Sequence, residues 1–349
     1  MQTAIMTETV AELLRIDAFV AQLSLHPRRV FPTHHADAEL MPLSAGSYLA
    51  ATLDVLSEEL SVGLYREPET MGWVLVQANL SDLAAVGATP VGLVLGVSLG
   101  PEWDDARTAR LAGGIDDAVR SEGAFILGGD LNDGAATSLC ACAIGLLERP
   151  LISRHGVRPG DRIYASAPLG LGNAMAAAAL TGHRELFPER AFRPRARLRA
   201  GRNLRTRAHA MIDTSDGLLA ALDQLARVNE LCLELDLRAP RLVDERAAAV
   251  AVKLGLPDWA LLFGEHGEYE LVCAADAGAE SALPLGAVPL GQARDGYGVA
   301  VRLGDAEAIP LDAGRIRNLR ATTGGDPAAY ISALLGYGTS LGLPGSPRR

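Results

Sequence analysis

Lysine is almost absent. The 349-residue chain has one, Lys253, so arginine supplies the other 31 of its 32 basic residues. That lysine sits in AVAVKLGL, far from any Gly-rich loop. A P-loop or a protein-kinase phosphate site needs its lysine, so both are excluded. One lysine also leaves any polybasic membrane patch to arginine. The four cysteines form no CxxC pair. Cys140 and Cys142 alternate in SLCACAIGLL, which points both to one side of a strand, and all four read as reduced thiols. No 18-residue apolar run and no cationic start with an apolar stretch and cleavage site occur, so we expect a cytoplasmic chain that does not enter the membrane. HExxH is missing, and GLGNAM at 170–175 is a poor dinucleotide fingerprint. The net charge of −10 and pI near 5.2 argue against a nucleic-acid partner.

What the chain does have is enough apolar material, 49%, for two buried cores. TETVAELLRIDAFVAQLSL carries Val10, Leu13, Leu14, Val20 and Leu23 at helical spacing and predicts a leading amphipathic helix. SYLAATLDVL, PVGLVLGVSL, AFILGGD and TSLCACAIGLLE read as strands, and ETMGWVLVQANLSDLAAVGA and PEWDDARTARLAGGIDDAVRSEG as helices. RPGD at 158–161 is a turn after this α/β half. A second half follows: RIYASA, the helix LGNAMAAAALTG, an Arg-rich helical stretch at 193–207, then AMIDTSDGLLAALDQLA as strand, turn and helix. The expected division is a domain over 1–150, a second over 151–338, and a flexible tail over 339–349.

The informative feature is a series of aspartates in small-residue contexts: Asp37 in HHADAEL, Asp54 in ATLDV, Asp82 in NLSDLAAVGA, Asp130 in LGGDLNDG, and Asp213 and Asp216 in MIDTSDGL. Singly, each is a common turn former or helix cap. Gathered in one site they would repel unless cations intervened. Magnesium takes oxygen ligands and bridges carboxylates to phosphates, so such a site could hold a nucleoside triphosphate without a lysine.

Taken together, NLSDLAAVGATP, GGD at 128–130, RHGVRPGDRIYAS at 154–166, IDTSDGL at 212–218 and EHGEYEL at 265–271 occur in order. In this they resemble the thiamine-monophosphate kinase family within the aminoimidazole ribonucleotide synthetase superfamily. The resemblance implies a two-domain α/β fold whose N-terminal halves pair in a homodimer, with ATP and several Mg2+ ions in a cleft near that pairing and direct in-line phosphoryl transfer. It assigns metal binding to Asp37, Asp54, Asp82, Asp130, Asp213 and Asp216, with Asp130, Asp213 and Asp216 closest to the chemistry. It assigns nucleotide contacts to Thr52, Gly129, Arg154 and Ser215.

The departures from the family pattern fall mainly on the acceptor side. Ala36 replaces the first acid of GDD, and Leu53 the middle residue of STD. Ser61 stands for the His of an HF pair, Gly267 for the Glu of GGEDYEL and Glu268 for its Asp; the C-terminal aromatic has no counterpart in GRIRNLRATTGG. Ser61, His266 and Glu268 are the expected acceptor contacts. From these losses we expect an ATP-dependent phosphotransferase with an acceptor other than thiamine phosphate. The alternatives are a thiamine-monophosphate kinase, a ligase or cyclase of the superfamily, and a catalytically weakened binding protein.

Overall fold

Two sheets, one per half, organise the chain in a computed structural model describing residues 7–44, 46–276, 278 and 283–346. The first half contains β1 (Glu39–Pro42), β2 (Ser47–Leu56), β3 (Thr89–Leu99), β4 (Ile126–Asp133) and β5 (Ser138–Glu148). Its helices are α1 (Ala11–Val20), α2 (Glu58–Ser61), α3 (Pro68–Ala85) and α4 (Asp105–Glu122). Strand order is β1-β2-β5-β3-β4, with β3 and β4 parallel and the other pairs antiparallel. Alternation gives the sheet two faces. Tyr48, Ala50, Leu56, Leu139, Ala141, Ala143, Leu93 and Val97 are buried. Leu53, Val55 and Val94 are exposed on the opposite face, where Cys140 and Cys142 also point.

α3 begins at Pro68, where a missing N–H costs nothing, and is buried almost all round. It packs on β2 and β5 on one side and on the second half on the other. That double contact explains its nearly uniform apolar sequence. Of its buried polar residues, Gln77 accepts the Ala196 N–H through its side-chain oxygen at 2.7 Å.

The second half has β6 (Arg162–Ala165), β7 (Ala210–Asp213), β8 (Cys232–Asp236), β9 (Leu271–Ala275), β10 (Val288–Arg294), β11 (Gly298–Arg302) and β12 (Ile309–Leu311). Their order is β12-β11-β8-β10-β6-β9-β7. Helices α5 (Leu171–Leu180), α6 (Leu198–Leu204), α7 (Gly217–Asn229), α8 (Glu245–Leu254), α9 (Asp258–Phe263), α10 (Ala313–Arg317), α11 (Leu319–Thr322) and α12 (Pro327–Ser340) complete it. Among the described residues no helix is long and apolar enough to cross a membrane.

Three expectations change. The chain start docks on the second half: Glu8 N–H donates to Asp312 at 2.8 Å and Ala11 N–H to Asn318 at 3.0 Å. α1 forms, but none of its residues is buried, and Leu14 and Phe19 stand exposed. The segment after 338 is packed rather than loose as far as Pro344. Leu343 is buried, and Trp259 Nε1 donates to the Pro344 carbonyl at 2.8 Å, so apolar docking holds it; residues 347–349 lie outside the described residues.

Candidate active site

Thr52 and Asp54 occupy inward positions of β2, facing α3. α3 answers with Asn79 and Asp82, three residues apart and therefore on one helix face. Asp54 N–H donates to the Asn79 side-chain oxygen at 3.1 Å, and the Asn79 amide donates to Leu75 O at 2.9 Å. The Thr52 hydroxyl donates to Asp82. From the second half, β7 ends at Asp213, and Asp216 sits at the start of α7. Asp37 enters from the loop before β1. Carboxylate oxygens of Asp37, Asp82 and Asp213 lie within 4.8 Å of one another.

The cluster is charge-frustrated. Asp213 is pushed up to about 7 by burial and by Asp37, against hydrogen bonds from Ser215. Asp54 is pushed up to about 6 by burial, then Asp216, Glu59 and Asp37. Burial, Asp54, Asp213 and Asp37 hold the Asp82 carboxyl well above the usual carboxylate range. Arg154 pairs with Asp37 at 2.9 Å; burial opposes its charge, but the Asp37 contact outweighs this and raises its affinity for the proton. Oδ2 of Asp37 and Oδ2 of Asp213 are buried with no hydrogen-bond partner. Unpaired, mutually repelling oxygens from three chain segments form a donor set that fits a hard divalent cation such as Mg2+. Ser215 orients rather than reaches out: its hydroxyl donates to Asp213 Oδ1 at 2.9 Å.

Asp130 does not join this cluster. Register pairs it with Gly96, which pairs with Cys140, the row on the outer face of the sheet. Its partner is the Asn132 amide at 2.6 Å, on the same outer side. Gly129 is one step along and faces inward, its backbone against Leu95. The residue spacing located the strand but not the face on which Asp130 lies.

Beside the aspartates a cavity of about 600 Å3 runs from Asp216 between α5, α7 and α9, with α2 on one side and α10–α12 over it. His266 is on its wall, bonded to the Tyr65 hydroxyl at 2.7 Å. Burial and then Arg320 lower its pKa to about 4, which keeps the imidazole neutral near pH 7. The other two expected acceptor contacts are elsewhere. Ser61 is exposed, its hydroxyl donating to Glu58 O at 2.7 Å. Glu268 is buried and accepts the Gly172 N–H at 3.0 Å, satisfying the start of α5. Burial and then Glu270 push it up to about 8, against hydrogen bonds from Gly172, Gly170 and Leu171. The Arg-rich stretch ties the halves together instead of facing the cavity: Arg195 pairs with Glu122 and Arg193 donates to the Thr70 hydroxyl at 3.1 Å, while Arg197 pairs with Glu270 inside the second half.

Sequence reasoning missed Glu59, Glu265 and Tyr330 on the cavity wall. Glu265 opens the EHGEYEL segment, so its motif was a usable signal. Tyr330 comes from α12, outside every motif.

Two family profiles cover most of the chain: AIR synthase related protein, N-terminal domain, over residues 35–147, and the corresponding C-terminal domain over 158–286. The thiamine-monophosphate kinase of Halobacterium salinarum is 33% identical over 225 residues, 64% of this chain and 75% of the relative. That of Pyrococcus horikoshii is 30% identical over 270 residues, 76% and 85%. Among solved structures, AaThiL complexed with AMPPCP and TMP superposes with a TM-score of 0.72 at 22% identity, covering 86% of this chain and 98% of that one, and so shares the fold. The thiamine-monophosphate kinase of Stenotrophomonas maltophilia superposes at 0.63 with 27% identity, 87% and 99% covered. The chain therefore belongs to the AIR synthase related family, on its thiamine-monophosphate kinase-like branch.

Proposed function

We propose that the chain is a Mg2+-dependent ATP kinase whose acceptor is thiamine monophosphate. The observation that carries this is the buried cluster of Asp37, Asp82 and Asp213 opening through Asp54 and Asp216 onto a large cavity. The relatives that bear that name support it. The argument for a different acceptor weakens, because the cavity wall holds an imidazole, several carboxyl groups and a tyrosine after all, drawn from other positions than the family motif uses.

Asp37, Asp54, Asp82, Asp213 and Asp216 are the residues that would hold Mg2+. Bound there, Mg2+ neutralises charge that develops on the transferring phosphoryl oxygens. Arg154 braces Asp37, Thr52 orients Asp82, and Ser215 orients Asp213. In the transfer an oxygen of the acceptor phosphate attacks the γ-phosphorus, and the bond to the bridging oxygen breaks, releasing ADP. A phosphate monoester has a second pKa of about 6, so its attacking oxygen is already ionised near pH 7 and needs no general base. Positioning is then the protein's main task.

A second copy of the chain completes the reading. The outer face of the first sheet exposes Leu53, Val55, Val94 and Leu127 together, an apolar surface suited to a homodimer, and Asp130 and its glycines sit on that sheet. We assign Asp130 to the nucleotide site of the partner protomer. Kinase assays with thiamine monophosphate, Mg2+ and ATP test the function. Saturable formation of the diphosphate, lost in Asp82→Ala and Asp213→Ala, is expected; no turnover in the folded wild type would overturn the acceptor assignment.

A further inference from the structure

α1 is held to the rest of the molecule mainly at its start. Val10, just before it, is buried. Ala11 N–H donates to the Asn318 side-chain oxygen at 3.0 Å, and the Asn318 amide donates back to Thr9 O at 3.0 Å. Two ion pairs hold the helix itself, and none of its residues is buried. Glu12 lies 3.6 Å from Arg317 of the second half, and Asp17 lies 2.8 Å from His34 of the first. The Asp17 side chain is 60% exposed, and ion pairs in contact with water are weak. The helix is thus a strap between the halves, pinned at one end and lightly latched near the other.

Ala11, Glu12 and Arg15 line the large cavity. Residues four apart share a helix face, so the face that carries Ala11 and Arg15 continues to Phe19, which stands 67% exposed. Glu12 and Arg15 are spaced to pair with each other. Instead Glu12 turns to Arg317, and among the described residues Arg15 makes no ion pair. The other two arginines on the wall are committed, Arg317 to Asp223 and Arg320 to Glu58, each at 2.9 Å. Glu12 acts as a repelling like charge on Asp216 and Glu265, which line the same cavity. A cation held by the aspartates would remove that repulsion, and a polyphosphate beside it would give Arg15 a partner. The cavity face of α1 therefore carries two charges, three residues apart, that match a metal and its phosphate.

We propose that α1 is a lid that closes over the cavity when a metal-bound polyphosphate fills the aspartate cluster, with Arg15 as the residue that grips the phosphate oxygens. The lid turns about its pinned start, and burial of Phe19 offsets the loss of the weak Asp17–His34 pair. This rests on the kinase reading and adds to it. A closed lid keeps water from taking the phosphoryl group, and Arg15 supplies a cationic contact in a chain almost without lysine.

Hydrogen exchange on the full chain, with and without the non-hydrolysable analogue Mg-AMPPNP, reads the lid directly. In the wild type the amides of 11–20 are expected to exchange about tenfold or more slowly with the analogue bound. Mg2+ alone should give part of that protection in the wild type and none in Glu12→Gln. Arg15→Gln should lose most of the protection and raise KM for ATP about tenfold, with Mg2+ binding by calorimetry unchanged, and Arg15→Lys should recover part of both. Equal exchange with and without Mg-AMPPNP, in a wild type that calorimetry shows to bind it, overturns the lid and leaves the kinase reading standing. Full protection in Arg15→Gln together with an unaltered KM overturns the role of Arg15. A folded wild type that binds no Mg-AMPPNP sinks the kinase reading and the lid together.

Discussion

At the scale of single residues the site is built against local stability. Asp82 lies fully among like charges, and its only neutral relief is the Thr52 hydroxyl. Asp82→Asn keeps the shape and an acceptor for Thr52 while removing the repulsion. We expect it to stabilise the metal-free protein by about 0.5–2 kcal/mol, a trade of function for stability, and to abolish the rise in Tm that Mg-ATP produces; differential scanning calorimetry with and without Mg-ATP reads both. Glu268 makes a different prediction. Its ordinary value of 4.5 is raised to about 8 in the fold, so between these values the folded state holds a proton that the unfolded state has lost. Its contribution is whole below about pH 4.5 and is lost as pH rises through 8. The fall in Tm between pH 5 and 8 should therefore be shallower in Glu268→Gln than in the wild type, and identical slopes would contradict it. The aspartates were legible in the sequence because each sits in a small-residue turn or helix. The face of the strand that carries Asp130 was not, because a motif gives position along β4 but not the parity of its pleat relative to β3.

At the scale of elements, α3 is the beam on which the site hangs, since it carries Asn79 and Asp82 between the halves. It crosses α4 at two glycines. A Cβ on Gly72 would strike Leu111 O and Ile115, and one on Gly114 would strike the backbone of Glu69. Gly114→Ala should force the helices apart and cost about 1–3 kcal/mol by overpacking, with weaker Mg-ATP binding because Asp82 moves with α3; chemical denaturation and calorimetry measure the two effects. Such close contact could not be read from ETMGWVLVQANLSDLAAVGA, whose pattern did establish the helix itself. The same limit applies to α1. Spacing made it a helix, while its partner was a tertiary fact, and Leu14, Ile16 and Phe19 proved to be exposed. α12, PAAYISALLGYGTS, carries two glycines and little amphipathic contrast, so nothing local marked it as the cavity's cover. By contrast β5 alternates between buried and less buried residues along its length because one face is core.

At the scale of the whole molecule, the position of Asp130 decides how many copies make a site. Within one chain it lies across the sheet from Asp82, on the surface where Leu53 and Val94 are exposed. If that surface is shared by two protomers, charge should separate them without unfolding either: Leu53→Arg with Val94→Arg is expected to give a monomer by sedimentation, with an unchanged far-ultraviolet spectrum and lost kinase activity. Complementation tests the sharing directly. Asp82→Asn and Asp130→Asn each inactivate a homodimer. When the two are co-expressed, a heterodimer whose sites combine Asp82 of one protomer with Asp130 of the other has one site carrying both lesions and one carrying none. Random pairing makes half the population heterodimers, each with one intact site, so roughly one quarter of wild-type activity should return under two-fold symmetry. Should Asp130 serve its own chain, every heterodimer site would carry one lesion and no activity would return. Purifying the heterodimer on two different affinity tags turns the quarter into about half of the wild-type rate, a change that contaminating wild-type protein could not mimic.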